Sequence, residues 1–131
     1  MNMADTWKSH DMTRLARAWL DEIRSGKPST DGDIGETVVL MNFTAPADVQ
    51  WSFLKAAVTA AETDDELGAI AAGLFEHLLG SHGDEYIALV ESLARDQPAF
   101  ARMTTGAWQN LMSEEVWSRV QAIQAAVPDP I

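Results

Sequence analysis

Only one stretch of this 131-residue chain reads as a β-strand, and nothing else in the sequence offers it a partner. Glu36 to Phe43 contains the run Val38-Val39-Leu40-Met41, β-branched enough for a short strand. A lone strand leaves its backbone N–H and C=O groups without partners, which is costly once they are buried. The stretch is therefore expected to be a helix ending near Thr44, and the fold class follows: all-α.

Apolar spacing carries the same expectation along the chain. Met12, Leu15, Ala16, Trp19 and Ile23 stack on one helical face, leaving Arg14, Arg17, Asp21 and Arg24 outside. Gly26 supplies a stop that can take the left-handed conformation. Pro46 suits the first turn of a helix burying Val49, Phe53, Ala56, Ala57 and Ala60, with Trp51, Leu54 and Val58 on a neighbouring strip. Thr63-Asp64-Asp65-Glu66 is a capping box, followed at helical spacing by Leu67, Ile70, Ala71, Leu74 and Leu78. Gly80 is expected to stop that helix, and Ser81-His82-Gly83-Asp84 to open another with Tyr86, Leu89, Val90 and Leu93 inward. Asp96-Gln97-Pro98 opens a shorter helix holding Phe100, Met103 and Trp108, interrupted near Gly106. Ser113 caps the last, with Val116, Val120, Ile123 and Val127 inward.

About seven helices on short links build an antiparallel bundle or a short HEAT-like stack of helical hairpins. The pairs 46–62 with 64–80 and 82–95 with 97–112 look like two such hairpins. One helical domain, 1–131, is expected, with an N-terminal helix in 1–27, a loop over 26–36 and a hairpin core over 37–127. Hydrophobic residues make up 47% of the chain, enough for a packed core. The chain has no cysteine, and no secretory h-region or membrane-length apolar run appears, so a cytoplasmic location is expected.

The net charge of −11 is unevenly placed. Residues 28–94 hold twelve acids against Lys55 alone, while residues 1–27 net +1 and residues 95–131 net −1. Like charge repels at contact, which disfavours direct binding to nucleic acid or to an anionic membrane. The clustered acids instead suit a basic protein partner, where complementarity speeds association and selects the partner. The carboxylates expected in that contact are Asp31, Asp33, Glu36, Glu62, Asp64, Asp65, Glu66, Asp84 and Glu85, with Trp51 as a desolvated anchor.

Enzymatic signatures are weak. Glu76, His77, His82 and Asp84 form the best metal cluster, but Glu76 and His77 point about 100° apart on a helix. No H-E-x-x-H occurs, and the serine and glycines of Gly80-Ser81-His82-Gly83 lack the spacing of a nucleophile elbow. No phosphate loop or dinucleotide fingerprint is present, so neither cofactor nor catalytic residue is expected.

Gly73-Leu-Phe-Glu76-His-Leu-Leu79-Gly-Ser-His82-Gly83, followed by Tyr86-Ile87, resembles the G-P-L-E-x-L-L-x-x-H-G signature of a family of small helical bacterial domains of unknown function. The resemblance spans about residues 46–120, Trp117 included. It implies an all-helical fold and no known reaction. Leu74 stands where the family carries proline, so the helix should run through that point. A structural role for the motif implies that Gly73 permits close helix approach and that Glu76 and His82 bond across the helix break. By analogy of type, small acidic proteins like this act as toxin immunity proteins. The expectation is thus a non-catalytic cytoplasmic protein that occludes a basic toxin or effector. A metal-dependent enzyme or sensor at Glu76, His82 and Asp84 is one alternative. A scaffold or adaptor that self-associates around Trp108 and Trp117 is another.

Overall fold

The computed structural model describes Lys8, residues 11–27 and residues 34–131, without the side chains of Leu40 and Phe43. The described residues contain helices and no strand, in two compact units, Met1–Ala61 and Glu62–Ile131. No described helix is long and apolar enough to cross a membrane.

The first unit holds α1 (Met12–Ser25), α2 (Ile34–Thr44) and α3 (Ala47–Ala60). Asp11 caps α1 by accepting from the Arg14 amide at 3.1 Å, and Gly26 ends it at φ 66°, where a side chain would be strained. The apolar stripe buries Leu15, Ala16 and Leu20, whereas Ile23 lies on the exposed flank. The doubtful segment is indeed helical, and Ile34, Val38 and Met41 of α2 are buried. Pro46 sits at the cap just ahead of α3, not within its first turn. Helix α3 buries Phe53, Leu54, Ala57 and Val58, so the strip that looked secondary in the sequence is core. It packs on α1, with Trp19 tilted against Phe53 at 6.0 Å, so α3 has a hairpin partner upstream. Arg24 ties the helix ends together by donating to the Ala60 carbonyl at 3.3 Å.

The second unit holds α4 (Asp64–Ile70), a π-helical turn (Ala71–Phe75), α5 (Glu76–Asp96), α6 (Pro98–Thr104) and α7 (Glu114–Ala125). Thr63 caps α4 as expected, accepting from the Glu66 amide at 3.2 Å and donating to the Glu66 carboxylate at 2.9 Å. Ser113 does the same duty for α7. The chain runs helically through Leu74 as expected, but in a wider π turn.

The expected break between two helices is present, but two residues after Gly80 rather than at it. A glycine ends a helix by taking positive φ, and among the described glycines only Gly26 does so. Gly80 stays helical, the break falls at His82 (φ −135°, ψ 29°), and a second helical stretch runs from there to Asp96. Beyond the kink the inward positions are Ile87 and Val90, while Leu89 is exposed and Tyr86 and Leu93 half-buried. Helices α6 and α7 both pack on α5, and Phe75 meets Phe100 edge-on at 6.3 Å. Helix α7 buries Val116 and Val120, leaving Ile123 and Val127 half-buried.

Candidate protein-binding site

Segment 73–83 supports the loop between α6 and α7. Glu76 follows directly on the π turn and is only 7% exposed, so its carboxylate needs donors nearby. It takes the backbone amide of Trp108 at 3.2 Å and the Asn110 side-chain amide at 3.4 Å. The expected bond between Glu76 and His82 is thus replaced by bonds to a loop more than thirty residues downstream. Within that loop Asn110 adopts φ 47°, a left-handed conformation that asparagine tolerates better than most residues. Gln109 donates to the Met112 carbonyl at 3.2 Å and to Glu114 at 3.1 Å, while Ala107 and Met112 are buried.

So held, the loop presents Trp108 and Leu111 to solvent, at 76% and 78% exposure. Trp108 lies outside the expected shorter helix, because α6 ends at Thr104 and the indole stands beyond the helical register. Beside Leu111 lies a polar hollow of about 280 Å³. His82, Gly83, Asp84 and Glu85 line it, and both acids are exposed. The close helix approach expected at Gly73 occurs instead at Gly83 and Gly80. A Cβ on Gly83 would stand 3.0 Å from a Val116 methyl, and one on Gly80 would stand 3.1 Å from Leu111 Cβ. Around Gly73 there is open space.

The other expected contact residues are scattered. Asp31 and Asp33 lie outside the described residues. In the first unit Glu36 is exposed on α2, and Trp51 is half-buried with the Lys55 ammonium 5.5 Å from its ring centre. In the second, Glu62 and Asp65 are exposed. Glu66 is 1% exposed and engaged in the capping box, receiving the Glu62 amide at 3.0 Å, so it is not a docking carboxylate. Asp64 is bridged by both terminal nitrogens of Arg102, a bond that holds its carboxyl below the usual carboxylate range. Arg119 holds Glu91 down in the same way. The acids between Lys55 and Arg95 therefore draw two of their counter-charges from the C-terminal third, out of reach of any local count. Among the described residues no three of His, Asp or Glu are placed to hold a metal ion.

A model for a family of unknown function matches residues 32–127. The chain belongs to that family, DUF6869. The DUF6869 match runs from before α2 to beyond α7 and takes in both the 73–83 segment and the loop it braces. No curated protein and no solved structure matches the chain. Trp108 was legible in the sequence as an aromatic suited to an interface; Leu111 beside it was not singled out. The available signal was Gly106 and Asn110 bracketing an apolar residue in a segment too broken to be a helix.

Proposed function

We propose that this protein is a non-catalytic binding module that seats a basic protein on Trp108 and Leu111 of its second unit. One observation carries the reading: two large apolar side chains stand in water on a loop fixed by a nearly buried carboxylate. Tryptophan is favoured as an energetic anchor in interfaces, and a rigid loop loses little conformational freedom on binding. Asp84 and Glu85 lie beside Leu111 and supply the charge that steers a cationic surface toward the anchor. The second unit carries twelve acids against three arginines, a net −9, which repels a second copy and attracts a basic partner. Occlusion of a basic toxin or effector in the cytoplasm is the form of this reading most in keeping with the acidic surface and the absence of cysteine.

The test starts from the protein that co-purifies from the native host and measures its affinity by calorimetry. Trp108→Ala with Leu111→Ala should weaken binding at least about thirtyfold, the effect of losing an interface hot spot. Asp84→Lys with Glu85→Lys should slow association and flatten its salt dependence. Unchanged affinity in the Trp108/Leu111 variant, with its helical content intact, would refute the proposed site.

A further inference from the structure

A groove of about 420 Å³ opens between the end of α5, the start of α6 and the outer face of α7. Its volume falls within the range of about 300–1,000 Å³ typical of small-molecule sites. The walls are apolar, including Pro98, Ala101, Ala122, Ile123 and Val127. These include Ile123 of α7 and Val127 just beyond it, whose helical spacing pointed inward but which remain half-buried. An apolar groove at a helix–helix seam gains by being covered.

The charges on its rim select the occupant. Glu91 is already bridged by Arg119, and Asp129 stands 3.5 Å from the Arg102 guanidinium, which also donates to the Asp129 carbonyl at 2.7 Å. Arg95, exposed in the last turn of α5, has neither a hydrogen bond nor an ion pair among the described residues. The charge of Arg95 acts on the Glu91 carboxylate, but its guanidinium N–H groups donate to nothing among the described residues, so the groove offers one unfilled cationic donor and no carboxylate without an arginine beside it. A guanidinium binds a carboxylate through two parallel N–H···O bonds. A multiply charged anion would meet the repulsion of a unit at net −9, which favours a single negative charge.

We propose that this groove binds a small amphipathic monocarboxylate, its head on Arg95 and its apolar body along α7. The site shares no residue with the Trp108 loop and does not depend on that loop's function.

Decanoate, titrated into the full chain and followed by backbone amide shifts, is the probe. Saturable one-to-one binding is expected, with a Kd below about 1 mM and shifts centred on residues 94–101 and 119–129. Arg95→Gln, a surface change that should leave helical content unaltered, should weaken decanoate about tenfold and leave decanol unchanged. Ala122→Leu, which fills the groove with a good helix former, should abolish binding of both. The proposal fails if decanoate does not saturate, if decylammonium binds equally well, or if Arg95→Gln has no effect.

Discussion

A carboxylate with 7% exposure must satisfy its oxygens locally, and Glu76 does so on the loop it supports. Glu76→Ala leaves the Trp108 amide and the Asn110 side chain without their acceptor, which should cost about 1–3 kcal/mol in urea unfolding. Glu76→Gln keeps one acceptor oxygen and should cost less. Both variants should shift the tryptophan emission if the loop depends on this contact. The same physical demand explains why Glu66 was misplaced by sequence reasoning. An acid in a first helical turn looks solvated, but this one is turned inward because the Glu62 amide and the Thr63 hydroxyl both donate to it. The capping box was legible from Thr63 and Glu66; the burial of its carboxylate was not.

At the scale of elements, glycines separate what local rules can and cannot see. Gly26 ends α1 by its own backbone conformation, so spacing and residue type sufficed. Gly80 and Gly83 stay helical because Leu111 and Val116 lie against them, and such distant contacts leave no local mark. Gly83 and Gly73 should respond oppositely to an added methyl. Gly83→Ala pushes into Val116, which is 2% exposed and has little room to yield, and should destabilise by about 1–3 kcal/mol. Gly73→Ala meets nothing within 4 Å and should stabilise by roughly 0.5–1 kcal/mol through the helical preference of alanine. Thermal or urea unfolding of the pair, side by side, checks both signs. Equal effects would mean that the Gly83 contact is not tight.

For the whole molecule, charge sets the response to acid. Hydrogen bonds from Arg102 and Arg119 lower the folded-state pKa of Asp64 and Glu91, so folding favours their ionised forms. A lowered carboxylate pKa contributes stability that is present above the unfolded value, near 4, and is lost as pH falls through the folded value. The melting temperature should therefore fall as pH drops below the ordinary carboxylate range, and Arg102→Gln with Arg119→Gln should make that fall shallower. A pH profile unchanged by the double substitution would count against this linkage. The all-helical class was legible because a single strand candidate had no mate. The counter-charges of Asp64 and Glu91 were not legible, because they come from residues 38 and 28 positions further along the chain.

The π turn at Ala71–Phe75 gives this chain an unusual tolerance of length. It holds one residue more than the α turn it replaces. Losing a single codon there, for example the one for the exposed Gly73, would let the turn close as ordinary α-helix with its backbone hydrogen bonds intact. Far-ultraviolet circular dichroism would barely register the loss. Downstream, the helix would stay close to its register with α4, because five residues of a π turn sweep about the same angle as four of an α turn, roughly 400°, so Glu76 would keep the amides it now holds. In this segment an in-frame deletion of one residue should thus be silent both in helix content and in the placement of the Trp108 loop.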